Sequence, residues 1–352
     1  MSNLYPGLIR KYRQYLPVAG ASIVTLHEGN TPLFESQRLV EHFNLKIKLY
    51  FKLEGLNPTG SFKDRGMTYA VSKAHEDGSQ AVICASTGNT SAAAAAFAVR
   101  KGMKAVVVVP QGKIALGKLS QAQIHGAQVF QVKGNFDQAL EVVQELSENP
   151  KVTLVNSINP NRLLGQETAA YEIIEALGEA PHYHFIPVGN AGNITAYWRG
   201  FSRFHKEGKS GRLPKMCGFQ AAGSAPIVLG HRVENPETVA SAIRIGNPAN
   251  WQSAVQAAQE SGGFIDAVDD GEILAAYRAV AQLDGYFCEP ASAAAIAGVL
   301  KMAQKGFFRG GEVVTCTLTG HGLKDPDIAI QQSPPPVVIE PSAKALLEHL
   351  QL

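Results

Sequence analysis

Lys63 stands in a stretch of sequence that suits a reactive amine. It follows the small residues Thr59, Gly60 and Ser61 in "NPTGSFKDRG" and opens a predicted helix over 63–76. Burial in an apolar segment and the positive end of the helix dipole both lower the pKa of a lysine. A neutral amine of this kind forms Schiff bases with carbonyl compounds. Most lysines at helix starts are solvated, however, so this segment alone favours the ordinary role.

Two clusters of small and polar residues follow predicted strands and suit anions. In "CASTGNTSAAAAA", the loop 86–90 offers hydroxyls, an amide and free N–H groups at a helix start, although capping of that helix is a competing explanation. In "PVGNAGNITA", Gly189 and Gly192 let the backbone approach a phosphate closely. The spacing G-x-x-G is not the dinucleotide fingerprint, and Lys209 stands where an acid would hold a ribose. A phosphate monoester therefore fits this loop better than NAD.

Thr319 ends the last strongly apolar run of the chain, in "TCTLTGHGLKDP". A hydroxyl at a buried strand end needs a hydrogen-bond partner, which is a ligand or, more commonly, a backbone carbonyl. A phosphate-binding loop and a Schiff-base lysine in the same chain are together what pyridoxal phosphate requires.

The elements that must position these residues alternate along the chain. Short apolar runs predict strands, namely "KIKLYFKLE", "AVICAS", "KAVVVVP", "AQVFQV", "VTLVNS", "HYHFIPVGN", "KMCGFQAAG" and "EVVTCTLTG". Helix-length segments separate the early ones: Lys63–Glu76, Thr90–Lys101, Lys113–His125 and Phe136–Ser147. This alternation is typical of parallel sheets covered by helices on both faces, and it predicts two α/β units with a cleft between them. The end, "SAKALLEHLQL", predicts a short amphipathic helix whose Leu346, Leu347 and Leu350 dock on the body or on a partner subunit.

Composition excludes several classes of protein. The chain has 352 residues, of which 45% are hydrophobic and 18% charged, and a formal net charge of +2. A nucleic-acid partner is not expected without a basic stripe. No signal-like segment and no long uncharged apolar run occurs, so we expect a cytoplasmic protein without a membrane partner. The four cysteines, Cys84, Cys217, Cys288 and Cys316, have no metal-site spacing, so we expect buried reduced thiols and no metal.

Six motifs in order resemble those of the threonine synthases, a family of fold-type II pyridoxal phosphate enzymes. They are "EGNTPL", "NPTGSFKDRG", "CASTGNTSAAA", "PVGNAGNITA", "EPASAA" and "LTGHGLKDP". The resemblance spans nearly the whole chain. It implies an α/β fold with two open, twisted, mostly parallel sheets and an active site in the cleft between two domains. We place the larger, cofactor-binding domain at 1–69 and 159–352 and the smaller, mobile domain at 70–158. The family also implies a homodimer.

The resemblance implies pyridoxal 5′-phosphate as the cofactor and O-phospho-L-homoserine as the substrate. The reaction that the resemblance implies is a β,γ-replacement by water that yields L-threonine and phosphate, the last step of threonine biosynthesis.

Site residues carry over from the family by their motifs. Lys63 would hold the cofactor and then move protons, Asn89 would bond its 3′-oxygen, and Thr319 would meet its pyridine nitrogen. Because a hydroxyl is neutral, it does not enforce protonation of that ring. The cofactor phosphate would lie on Gly189, Asn190, Ala191, Gly192 and Asn193. The substrate would be bound by Ser86, Thr87, Thr90, Asn156, Arg162 and Lys113. Asp64 and Arg65 are expected to pair with each other just outside the site.

The nearest alternative is a serine/threonine dehydratase, which shares the lysine motif. Such enzymes usually carry a run of glycines where this chain has "GNAGN", and they have no substrate phosphate for Arg162 to bind. A tryptophan-synthase-like enzyme is disfavoured because its usual nucleophile pocket and partner-binding segments are not recognisable. A nucleotide-dependent dehydrogenase lacks its fingerprint here. A non-catalytic binding protein of this fold would be expected to have lost Lys63.

Overall fold

The strands of this chain form two separate sheets. The computed structural model describes residues 4–111, 116–134 and 136–350. Its strands, in chain order, are β1 (Leu33–Ser36), β2 (Lys48–Leu53), β3 (Ala81–Ala85), β4 (Lys104–Pro110), β5 (Gln128–Val132), β6 (Val152–Leu154), β7 (Tyr183–Pro187), β8 (Lys215–Ala221), β9 (Phe264–Val268) and β10 (Val313–Leu318). The larger sheet has the order β1-β2-β10-β7-β8-β9, and the smaller has the order β5-β4-β3-β6.

Both sheets are parallel apart from one edge. In the larger sheet only β1 runs antiparallel, next to β2. All four strands of the smaller sheet are parallel. All of the smaller sheet comes from 81–154, inside the predicted 70–158 segment. The predicted fold class, two mostly parallel sheets flanked by helices, is confirmed.

Helices cover both sheets. Within the described part they are α1 (Leu8–Lys11), α2 (Arg38–His42), α3 (Lys63–Glu76), α4 (Asn89–Arg100), α5 (Leu116–Ile124), α6 (Phe136–Leu146), α7 (Pro160–Leu177), α8 (Gly192–Lys206), α9 (Pro226–Leu229), α10 (Trp251–Glu260), α11 (Asp270–Asp284), α12 (Pro290–Gln304), α13 (Pro326–Gln332) and α14 (Ala343–Leu350). Short 3₁₀ turns occur at Gly20–Ser22, Glu54–Leu56, Ser241–Ile243 and Gly322–Lys324. The longer helices begin and end at ordinary signals: α7 starts with a proline after the capping side chain of Asn159 and stops at left-handed Gly178.

Helix α3 lies between the cores of the two sheets. Its Tyr69 belongs to an apolar cluster with α7, α8 and the larger sheet. Its Met67 and Val71 belong to a second cluster with α4, β3 and β4 of the smaller sheet. The predicted boundary after residue 69 therefore falls inside one continuous helix, and the lysine at its start is anchored by both units.

The C-terminal helix forms as predicted, and its leucines remain partly exposed. In α14, Leu346, Leu347 and Leu350 remain 46%, 49% and 51% exposed, so this chain alone does not bury them fully. Their contact with a partner subunit stays a prediction. No helix among the described residues is both long and apolar enough to cross a bilayer.

Candidate active site

Lys63 is held beside the carboxyl end of the central strand β10. The amide N–H of Phe62 donates to the carbonyl of Thr319 at 2.9 Å, and Ser61 forms a β-bridge with Gly320. The Lys63 Nζ lies 3.9 Å from the centroid of the Phe62 ring. Burial lowers the pKa of Lys63 to about 7, the positive charge of Arg162 acts in the same direction, and Glu289 opposes it. Near neutral pH a large fraction of this amine is therefore unprotonated.

Asp64 and Arg65 do not pair with each other, so that expectation is wrong. Asp64 accepts hydrogen bonds from the amide of Thr59 at 2.7 Å and from the Thr59 hydroxyl. Arg65 instead forms ion pairs of 2.7 Å with Glu54 and 2.6 Å with Glu172. The reason is helical geometry, because consecutive residues of α3 point about 100° apart and cannot face each other.

Asn89 and Thr319 donate hydrogen bonds to the same buried carboxylate, that of Glu289. Asn89 begins α4, and its Nδ2 donates to Glu289 Oε2 at 3.0 Å. The Thr319 Oγ1 donates to Glu289 Oε1 at 3.0 Å and lies 2.9 Å from the hydroxyl of Ser292. Burial raises the pKa of Glu289, while the two donated hydrogen bonds act in the opposite direction. The structure thus brings Lys63, Asn89 and Thr319 together around Glu289.

The loop from Gly189 to Asn193 joins β7 to α8 at the same edge of the larger sheet. Ala191 adopts a left-handed conformation at φ 66°, which turns the chain into the helix. A Cβ on Gly189 would lie 2.9 Å from the Cα of Ile243, so the loop has no room for a side chain there. Asn250 donates to the carbonyl of Asn190 and braces the turn. The N–H groups that open a helix have no intrahelical partners, so the start of α8 at Gly192 can bind an anion.

Asn193 has a side chain without a partner in the described part of the chain. It is only 7% exposed, yet neither its Nδ2 nor its Oδ1 makes a hydrogen bond there. Buried amides are normally paired, so this side chain at a helix start is available to bind a ligand.

The loop after β3 carries Ser86, Thr87 and Thr90, all partly buried at the start of α4. The Ser86 hydroxyl accepts from the amide of Gly88 at 3.3 Å, which is a local turn contact. Asn156, after β6, is tied to this loop because its side chain bonds both the N–H and the carbonyl of Ala85, at 2.9 and 3.1 Å.

Arg162 is a buried cation without an acidic partner among the described residues. It is 2% exposed, its Nη1 donates to the carbonyl of Val155 at 3.2 Å, and its Nε makes no hydrogen bond there. Burial lowers the pKa of this guanidinium to about 10. Lys113, the remaining predicted substrate residue, lies outside the described residues.

Three further residues at the site were not predicted: Glu289, Ser292 and Lys324. All lie within quoted motifs, Glu289 and Ser292 in "EPASAA" and Lys324 in "LTGHGLKDP". Glu289 stands just before the proline that opens an apolar helix, and its side chain does not cap that helix. A charged residue in this sequence position is the signal that points to Glu289. Burial lowers the pKa of Lys324, and the negative charges of the nearby Asp64 and Glu289 act in the opposite direction. It also donates to Gln121 of α5.

Comparison with known proteins shows the family to which this chain belongs. The family model described as "Pyridoxal-phosphate dependent enzyme" matches residues 24–320. A threonine synthase of Synechocystis is 59% identical over 93% of this chain and 85% of its own length. Threonine synthases of Mycobacterium leprae and Methanocaldococcus jannaschii are 55% and 51% identical, covering 99% and 94% of this chain and 97% and 84% of their own lengths.

Solved structures agree on the fold. A serine racemase of maize superposes with a TM-score of 0.76 at 19% identity, covering 99% of this chain and all of its own. A threonine deaminase of Solanum lycopersicum gives a TM-score of 0.75 at 24% identity, covering 93% of this chain and 89% of its own. At such identity the likeness concerns the fold alone. The sequence relatives go further: the chain belongs to the pyridoxal-phosphate dependent enzymes and, among them, to the threonine synthases.

Proposed function

We propose that this chain converts O-phospho-L-homoserine and water into L-threonine and phosphate, with pyridoxal phosphate held by Lys63. The assignment of this substrate rests on Arg162, a buried cation close to Lys63 that has no acidic partner in the described part. An unpaired buried charge is costly, and a phosphate-bearing substrate supplies the missing counter-charge. The substrate of a dehydratase brings no phosphate to fill that place.

The residues present fit the cofactor. The cradle at Gly189, the unpaired side chain of Asn193 and the start of the 15-residue helix α8 suit a phosphate group. The partly unprotonated Lys63 suits an aldehyde. When bound, pyridoxal phosphate supplies the electron sink that makes the substrate Cα and Cβ protons acidic.

Each site residue then has a defined task. Lys63 removes the proton from the substrate Cα and returns one there at the end of the cycle. Asn89 and Thr319 orient the cofactor ring, and Gly189, Asn190, Ala191, Gly192 and Asn193 hold its phosphate. The substrate carboxylate and phosphate are shared among the remaining polar groups: Ser86, Thr87, Thr90, Asn156 and Arg162.

Movement of the smaller domain would control access of water. We assign it residues 70–158, with 1–69 and 159–352 forming the larger domain. Two contacts between these units support a hinged arrangement: Asn89 with Glu289, and Gln121, whose Nε2 donates to the carbonyl of Thr59 at 3.2 Å. Such polar contacts are easily remade, as closure over a substrate requires.

The proposed enzyme is a cytoplasmic homodimer. The four cysteines are buried and unpaired, which suits a reducing compartment. Leu323, Ile330 and Val338 near the C-terminus are 69%, 73% and 95% exposed, which suits burial against a second copy of the chain. Light scattering of the purified protein, which gives its molar mass in solution, tests the dimer.

The experiment that tests the function measures phosphate and threonine released from O-phospho-L-homoserine. Equal amounts of both products from the native enzyme, and neither from Lys63→Ala, are the expected result. Lys11→Ala, which changes a partly exposed lysine paired with Glu175 of α7, serves as the matched control and should retain activity. Arg162→Met should lose most phosphate release. Ketoacid from threonine or serine without phosphate release would instead make the protein a dehydratase.

A further inference from the structure

Asn250 connects the loop proposed to hold the cofactor phosphate with the segment proposed to bind the substrate. Its backbone N–H and its side-chain Nδ2 both donate to the carbonyl of Asn190, at 3.2 and 3.3 Å. The same Nδ2 also donates to the carbonyl of Ser157 at 3.3 Å. These partners stand 60 and 93 residues away from Asn250 in the sequence. One side chain therefore joins two distant parts of the site.

Helix capping does not account for this side chain. Asn250 stands directly before α10, where asparagine commonly accepts a hydrogen bond from the first turn of the helix. Its carbonyl does accept from the N–H of Ala254 at 3.0 Å, but among the described residues its side chain makes no capping bond. Both partners of the side chain are carbonyl oxygens, so the amide must turn its two N–H groups towards them.

The anchored carbonyl of Asn190 fixes part of the cofactor-phosphate loop. A peptide unit is planar, so the carbonyl of Asn190 and the N–H of Ala191 can only turn together. Ala249 supplies a further anchor, because its N–H donates to Asn190 Oδ1 at 3.2 Å. Asn250 and Ala249 thus hold the backbone and the side chain of one loop residue, and with them the direction of the Ala191 N–H.

Ser157 belongs to the segment that carries two of the proposed substrate residues. Asn156, directly before it, is bonded to Ala85 at the end of β3. Arg162, five residues further on, lies in the first turn of α7. The hydrogen bond from Asn250 to the Ser157 carbonyl therefore restrains this segment relative to the cofactor-phosphate loop.

The same segments pack closely over the start of α8. A Cβ on Gly192 would lie 3.3 Å from Asn250 Nδ2 and 3.3 Å from Leu163 Cδ2. Leu163 follows Arg162 in α7 and is only 7% exposed. A side chain at Gly192 would press on both neighbours, so glycine lets Asn250 and α7 lie against the phosphate loop.

We propose that Asn250 is a positioning residue that holds the cofactor-phosphate loop and the substrate-binding segment at a fixed spacing. The substrate reacts only when its Cα lies at the cofactor held by Lys63, so the two anion sites must stay in register. Asn250 acts on both through the carbonyls of Asn190 and Ser157. The inference rests on the proposed function, because it presupposes that pyridoxal phosphate and O-phospho-L-homoserine occupy these two sites.

The decisive variant is Asn250→Ser, because serine is a neutral residue that still suits the N-cap but is too short to reach both carbonyls. We expect the affinity of the apoprotein for pyridoxal phosphate, titrated by absorbance, to fall about 5- to 30-fold, as for the loss of one or two hydrogen bonds. In enzyme saturated with the cofactor, KM for O-phospho-L-homoserine should rise by a similar factor, while kcat changes less than about twofold.

Two further variants separate positioning from general stability. Asn250→Asp keeps the size of the side chain and suits the N-cap, but its carboxylate cannot donate and would face two carbonyl oxygens. It should lose more cofactor affinity than Asn250→Ser. Gln256→Ser is the matched control, because Gln256 lies on the exposed side of α10, where it donates to Glu260 at 2.7 Å. This change weakens the same helix and should leave cofactor affinity, KM and kcat unchanged.

The outcomes are distinct. Native cofactor affinity and native KM in Asn250→Ser or in Asn250→Asp would overturn the proposal. Reduced cofactor affinity with an unchanged KM would also overturn it, because Asn250 would then serve the phosphate loop alone. Equal changes in Gln256→Ser, together with a lower midpoint of urea unfolding, would show a general structural role instead. A native enzyme that binds pyridoxal phosphate but releases no phosphate from O-phospho-L-homoserine would overturn the proposed function.

Discussion

Gly165 of α7 touches the backbone of Arg65 in α3. A Cβ on Gly165 would stand 2.0 Å from the carbonyl oxygen of Arg65, and a Cβ on Gly66 would stand 2.8 Å from that of Arg162. The two glycines let the helices cross in backbone contact. Because Lys63 opens one helix and Arg162 lies in the first turn of the other, this crossing sets how close the amine and the guanidinium come.

Gly165→Ala should force α3 and α7 apart. Overpacking of this kind costs about 1–3 kcal/mol, since the colliding atom is backbone and cannot swing away. We expect urea unfolding to show that loss and cofactor affinity to fall with it. Gly20→Ala is the control, because a Cβ there would meet nothing within 4 Å. Equal stability of the two variants would contradict the close crossing.

The amine of Lys63 should become reactive around neutral pH. Its pKa is lowered to about 7, by burial first and by Arg162 second. The rate at which the apoprotein combines with pyridoxal phosphate, followed by absorbance, should therefore rise through pH 7 and level off roughly one unit higher. Arg162→Met removes a positive neighbour, so the midpoint should move to higher pH. Exposed Arg10→Met should not move it, and a native midpoint near that of free lysine would refute the buried setting.

Removal of Arg65 should destabilise the fold severely. Arg65→Met removes the cation that pairs directly with the buried carboxylate of Glu54, and Lys52, 2.7 Å from Glu172, forms its ion pair with that other acid. Breaking a buried pair in this way costs about 3–5 kcal/mol in unfolding free energy. In denaturant titrations, Lys11→Ala, which breaks a partly exposed pair with Glu175, should cost only about 0–1 kcal/mol. A similar small loss in both variants would contradict this account.

His184 should make the protein less stable in acid. It is fully buried, its Nδ1 lies 2.7 Å from the Thr315 hydroxyl, and burial lowers its pKa to about 3. The unfolded chain binds a proton below about pH 6.5 while the folded protein does not, so stability falls as the pH drops from 6.5 towards 3.

From pH 7 to pH 5 this single residue should cost about 2 kcal/mol of unfolding free energy. Urea unfolding of the native protein and of His184→Gln at the two pH values measures that cost as a difference between their losses. Equal losses in the two proteins would show that His184 is protonated in the folded state.

Much of the fold was predictable because parallel strands are buried on both faces. Runs such as Ala81–Ala85 and Lys104–Pro110 are continuously apolar apart from an end residue, so they were found with nearly correct bounds. Two edge strands were missed. β1 is four residues long with two exposed side chains, and β9 carries Asp266 and is only partly buried, so neither has an apolar run to detect.

The candidate site was predictable only where a residue lies in a recognisable loop at a strand end. Lys63, Asn89 and Thr319 are such residues, and the structure places them together. The pairing of Arg65 with Glu54 and Glu172 was not predictable, because it joins segments up to 107 residues apart. Glu289 escaped notice for a related reason: its partners become neighbours only when the two sheets assemble.

The position of α3 between two apolar clusters has a consequence for how the molecule comes apart. Unfolding of the smaller sheet would bare Met67 and Val71, and unfolding of the larger one would bare Tyr69, on the same 14-residue helix. Loss of packing in either sheet therefore exposes one face of this helix and weakens its packing against the other sheet. Heating should therefore melt both units in one cooperative transition, and the site around Lys63 would be lost in that same transition.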